Sequence, residues 1–166
     1  MVRRILAVDD NEVVGWTLRA RLWAAGYEAT TVSNAVDAYA ALRVGRFDLV
    51  LLDLEMPGIG GLDALAAFDR LGLRRETPVL LLTASDELRH MRKARQLGAI
   101  GYLTKAHANR TLVQYLDRLF VMPETTWLDD HTWVYPQPTT PSEAEPTAPT
   151  LAFTLAQETN RPGVHR

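Results

Sequence analysis

Five times in its first 121 residues this chain sets a short apolar run ahead of a longer helix-like one, and no other feature constrains its fold as much. Ile5–Val8, Tyr27–Val32, Phe47–Leu52, Pro78–Leu82 and Ile100–Leu103 read as strands. Asn11–Ala25, Ser33–Gly45, Gly61–Leu71, Ser85–Gly98 and Asn109–Phe120 read as helical segments. Ser33 and Ser85 are placed to cap two of them, and Gly26, Gly45 and Gly98 stand where helices stop. In the last segment Leu112, Leu116, Leu119 and Phe120 share one face.

Strands that alternate with helices imply a parallel sheet with helices on both sides. The third and fourth runs, Leu-Val-Leu-Leu at 49–52 and Val-Leu-Leu-Leu at 79–82, are apolar without a break, as strands buried on both faces should be. Right-handed crossovers then favour a doubly wound, five-stranded α/β sheet of order 2-1-3-4-5, which is flavodoxin-like.

Charge and proline divide the chain in two. Residues 1–120 hold sixteen Lys/Arg and fourteen Asp/Glu, whereas the last 46 residues hold two Arg and six acids. Seven of the nine prolines lie beyond Val121. We therefore expect one domain over 3–121 and a Pro/Thr-rich acidic tail over 122–166, mostly disordered because it offers little apolar surface against the entropy of ordering. The net charge of −2 gives no strong pull toward nucleic acid. With no cysteine there is no disulfide framework and no thiolate metal site. No apolar run is long enough to span a bilayer, and the N-terminus reads as a strand rather than a leader, so the expected setting is cytoplasmic.

The polar residues fall at strand ends. Asp9 and Asp10 follow the first strand, Asp53 the third, Thr83 the fourth and Lys105 the fifth. In a 2-1-3-4-5 sheet these ends are neighbours at the carboxyl edge, where such sheets bind ligands. Three close carboxylates repel one another unless a cation neutralises them. A hard divalent ion that keeps several waters, Mg²⁺, suits such a place. One carboxylate can attack phosphorus to give an acyl phosphate, with the lysine and the hydroxyl acting on the phosphoryl oxygens.

Four stretches in this order, VDDN at 8–11, LLDLEMPGIGGLDAL at 51–65, PVLLLTAS at 78–85 and GAIGYLTK at 98–105, resemble the receiver domain (chemotaxis-type) of two-component response regulators. The resemblance implies a phosphorelay switch rather than an enzyme. It makes Asp53 the phosphoacceptor, assisted by Thr83 and Lys105. Thr83 and Tyr102 become the switch pair. Asp10, Asp53 and the backbone carbonyl of Glu55 become Mg²⁺ ligands, with Asp9 helping. Its implied partners are a histidine kinase or histidine-phosphotransfer protein and a downstream protein. No helix-turn-helix follows residue 121, so direct DNA binding is not expected. The family usually has proline after the lysine; Ala106 stands there instead.

Two other readings use parts of the same pattern. Haloacid-dehalogenase-type phosphatases also use a strand-end aspartate, Mg²⁺, a hydroxyl and a lysine, but their nucleophile comes first in the chain and their acidic pair last. A receiver-like module that is never phosphorylated would fit the departure at Ala106. A separate feature is Trp16 and Trp23, which fall opposite the inward stripe of Val14, Leu18, Leu22 and Ala25 on the first helix. We expect Trp127 or Trp133 from the tail to cover them.

Overall fold

A computed structural model describes residues 1–73, 77–84, 88–121 and 132–134. The five expected strands are β1 (Arg4–Val8), β2 (Glu28–Val32), β3 (Leu49–Asp53), β4 (Val79–Thr83) and β5 (Gly101–Thr104). The helices are α1 (Glu12–Ala24), α2 (Ala35–Val44), α3 (Gly61–Arg70), α4 (Leu88–Gln96) and α5 (Lys105–Val121). All five strands pair in parallel in the order 2-1-3-4-5, as the alternation required.

Strand pleating splits the interior into two layers. Ile5, Ala7, Leu49, Leu51, Leu80, Leu82 and Leu103 face Leu18 and Leu22 of α1 and Leu112, Leu116 and Leu119 of α5. Leu6, Val8, Val50, Leu52, Val79, Leu81 and Tyr102 face the helices α2, α3 and α4. Leu6, Leu52 and Leu81 are wholly buried, and burying each such side chain contributes about 1.5–3 kcal/mol. Both faces of the central strands are thus used up by packing, which leaves only their ends for chemistry.

Local signals differ from expectation in ways with clear causes. Asn34, not Ser33, caps α2, because its Oδ1 accepts the Asp37 N–H at 2.9 Å. Ala25 ends α1 on the surface, and Gly15 takes its place on the buried side with Leu18 and Leu22, where α1 crosses Thr31 of β2. Gly26 and Gly98 leave their helices at φ 85° and 76°, conformations that side chains with a Cβ rarely adopt. Gly45 is instead extended, at φ −112°. Helix α5 starts at Lys105, four residues before the expected Asn109.

A sixth strand, β6 (Thr132–Val134), pairs antiparallel with β5, Tyr102 opposite Trp133. It lies within the segment read as tail. It also removes one expectation: Trp133 is on the β5 edge, whereas the groove of Trp16 and Trp23 is walled by Glu28 and Ala29 of β2, the opposite edge. Five strand spacings separate the two, roughly 24 Å. Trp127, the rest of the tail and Ser85 lie outside the described residues. No helix among the described residues is long and apolar enough to cross a membrane.

Candidate functional site

Strand parity decides which polar side chains meet. Asp53 continues the pleat of Leu49 and Leu51, so it leans toward the α1/α5 layer, and Asp9 follows Ile5 and Ala7 on the same side. Lys105 enters that space from the first residue of α5. Its Nζ lies 2.7 Å from Asp9 Oδ2 and 2.8 Å from Asp53 Oδ2. The Lys105–Ala106 bond is trans, and the helix beginning at Lys105 delivers the ammonium without a proline.

Two backbone amides finish the orientation. Asn11 N–H donates to Asp9 Oδ1 at 3.0 Å, and Glu55 N–H donates to Asp53 Oδ1 at 3.3 Å. The Asn11 side chain also caps α1, its Oδ1 accepting from Val13 and Val14 N–H at 3.0 and 3.3 Å. One residue therefore ties the start of α1 to the aim of Asp9. The signal is an asparagine directly before a helical run.

Gly61 shapes the other wall. Its N–H donates to Leu54 O at 2.9 Å, and α3 starts so close to β3 that a Cβ at residue 61 would collide with Asp53 O and lie 2.8 Å from Leu54 Cα. No composition signal separates this glycine from its neighbours Gly58 and Gly60. Arg21 of α1 reaches the start of α5, donating to Ala108 O at 3.1 Å and to Asn109 Oδ1 at 3.5 Å. That link spans 87 residues and has no local signature.

Asp9 and Asp53 are 5% and 3% exposed, while Asp10 is at the surface. Burial pushes the Asp53 carboxyl above its usual range, and the Asp9 charge adds to this; the Lys105 hydrogen bond and charge pull it down without cancelling the effect. For Lys105, burial works against the charge, but hydrogen bonds and attraction from Asp53 and Asp9 outweigh it and raise the ammonium. One cation thus serves two buried carboxylates, with a third beside them. Carboxylate oxygens of Asp9, Asp10 and Asp53 lie within 4.8 Å of one another, and buried Asp9 Oδ2 has an ionic contact but no well-directed hydrogen bond. Hard oxygen donors with excess negative charge fit a divalent cation such as Mg²⁺.

The other two predicted side chains come from β4 and β5, the next strands along the sheet from β3. Thr83 ends β4 one position beyond the Asp53–Leu82 register pair and is fully buried. Tyr102 is fully buried in the layer facing α2, α3 and α4, against which Met91 of α4 also packs. Glu55 is exposed in the loop after β3.

A family profile described as the response regulator receiver domain matches residues 5–117. The chain belongs to that family. Receivers of this family are phosphorylation-dependent modules of two-component signalling. The transcriptional regulatory protein PcoR of Escherichia coli is 38% identical over 104 residues, covering 63% of this chain and 45% of the relative. The phosphate regulon transcriptional regulatory protein PhoB of Pseudomonas aeruginosa is 32% identical over 114 residues, covering 69% of this chain and 50% of the relative. The receiver chain thus spans about half the length of the curated relatives it matches. Chemotaxis protein CheY4 of Vibrio cholerae superposes with a TM-score of 0.67 at 30% identity, covering 71% of this chain and 98% of that one. The response regulator TrrA of Thermotoga maritima, solved in complex with Mg²⁺-BeF, gives 0.62 at 30% identity over 71% of this receiver and 99% of TrrA.

Proposed function

We propose that Asp53 is the phosphoacceptor of this receiver, within a domain covering residues 3–121. The observation that carries the reading is a nearly inaccessible carboxylate at the end of β3, bridged to Asp9 by a single ammonium that does not offset the charge around it. Asp53 attacks the phosphorus of a phosphohistidine on a histidine kinase or histidine-phosphotransfer protein. The N–P bond breaks and an acyl phosphate forms. Lys105, already 2.8 Å from the acceptor oxygen, follows the charge onto the phosphoryl group. In this reading Asp9, Asp10, Asp53 and the backbone carbonyl of Glu55 hold Mg²⁺, which when bound offsets the negative charge of carboxylates and phosphoryl group.

Thr83 donates its hydroxyl to a phosphoryl oxygen. Because Thr83 ends β4 in register with Thr104 of β5, this pull reaches α4 and β5, where a downstream protein reads it. The module works in the cytoplasm and signals through protein contacts. The test is incubation with acetyl phosphate and Mg²⁺, borohydride reduction of the acyl phosphate, and peptide mapping. Homoserine at position 53 is expected; the label at Asp9, Asp10 or any other residue would overturn the assignment.

A further inference from the structure

Trp16 and Trp23 are 72% and 78% exposed, although α1 already buries Gly15, Leu18 and Leu22 against the sheet. With Arg19, Ala20, Glu28 and Ala29 they line a shallow groove of about 540 Å³ between the outer face of α1 and β2. The two sheet edges are treated differently. The outer side of β5 is taken by β6, while among the described residues β2 has β1 as its only neighbour. An open five-residue strand edge is a template for further pairing unless it is covered.

We infer that this α1–β2 face docks a second copy of the same chain. The groove carries one charge of each sign, Arg19 and Glu28; Glu28 Oε1 lies 3.4 Å from Arg4 Nε of its own chain, an exposed pair of little worth that a partner's arginine can displace. A patch with that balance meets itself across a two-fold axis with opposite charges able to pair, which a partner of uniform charge cannot match. An antiparallel crossing of two α1 helices centred between Arg19 and Ala20 sets Trp16 of one copy against Trp23 of the other. Ala20 at the centre lets the backbones approach. The area is sufficient: four indoles at about 150 Å² each supply roughly half of the ~1,200 Å² that a specific interface buries. The groove walls and the β2 edge supply the remainder.

Sedimentation velocity of the full chain over a concentration series tests this. The mass should rise from one chain to two with concentration. Trp23→Glu and Arg19→Glu should each raise the midpoint concentration at least about tenfold, a loss of ~1.4 kcal/mol. Adding Glu28→Arg to Arg19→Glu should recover most of that loss. Both positions are exposed, so circular dichroism should show the fold intact, and Leu71→Glu on the exposed end of α3 should leave the midpoint unchanged. A chain that stays monomeric throughout would overturn the inference, since its own tail or another protein must then cover the indoles. So would a dimer indifferent to Trp23→Glu, a double variant that recovers nothing, or an equal loss with Leu71→Glu.

Discussion

Strand β3 has an aspartate at each end, and the fold treats them in opposite ways. Asp48, just before the strand, is partly exposed and fully served: Arg3 Nη1 donates to Oδ1 at 2.7 Å, and Arg4 N–H donates to Oδ2 at 2.7 Å. Its slight burial raises the carboxyl, but the Arg4 amide, the Arg3 hydrogen bond and the two guanidinium charges outweigh that and lower it. Asp53, at the other end, is buried, faces Asp9, and shares one ammonium with it; its carboxyl is raised. Residue type and strand are the same. The difference is how completely each charge is satisfied, and an incompletely satisfied buried charge is the one available for reaction.

The largest expected effect on this contrast comes from removing the shared cation. Lys105→Met should slow phosphorylation from a small donor by about 100-fold, since one charge aimed at the developing negative oxygens is lost. Asp48→Asn should leave that rate unchanged. Stopped-flow Trp fluorescence against acetyl phosphate in both variants measures it, and equal slowing would erase the distinction between the two ends. Gly61→Ala should cost about 1–3 kcal/mol of stability in urea unfolding, because the added methyl meets the backbone of β3 rather than a movable side chain. A neutral result would show that the close approach at Asp53 is adjustable.

Smaller effects follow from protonation. Asp48→Asn should cost about 1 kcal/mol near neutral pH, through loss of a charge-assisted hydrogen bond. The folded carboxyl of Asp48 is lowered, so its contribution is present above the unfolded value of about 3.9 and is lost as pH falls through the folded value. Asp53 has the opposite sign. Its raised carboxyl favours the folded state below the unfolded value, and this is lost as pH rises through the folded one. Asp53→Asn should therefore be more stable than the parent at neutral pH, with the gap closing in acid. Urea unfolding of parent and both variants from about pH 2 to 7 would show the Asp53→Asn gap closing above about pH 3.9 and the Asp48→Asn gap closing below it. A gap that widens in acid for either variant would contradict the sign assigned to that aspartate.

Much of this was legible in the sequence. Unbroken apolar runs such as Leu49–Leu52 and Val79–Leu82 suit strands buried on both sides, and five strands alternating with helices leave few topologies. Strand order alone put Asp9, Asp10, Asp53, Thr83 and Lys105 at one edge, and the first three and Lys105 meet there. What could not be read was contact between distant segments. Arg21 holding Ala108, and Gly61 pressed on Asp53, depend on packing that no local pattern encodes. Strand β6 is only three residues in a proline-rich stretch, too short to show a period, and it carried Trp133 to the edge opposite the one expected. Helix α5 begins at Lys105 because Ala106 and Ala108 are strong helix formers and Ala108 is buried against the core, a turn too short to show an apolar period.

The two aspartates also supply the most direct test of the account. Intact mass after incubation with acetyl phosphate and Mg²⁺ should show one added phosphoryl group on the parent chain and on Asp48→Asn. It should show none on Asp53→Asn, which keeps the shape of the side chain but lacks the nucleophilic oxygen. A full phosphoryl gain on Asp53→Asn, or its loss on Asp48→Asn, would contradict the claim that incomplete satisfaction at the carboxyl end of β3 marks the reacting group.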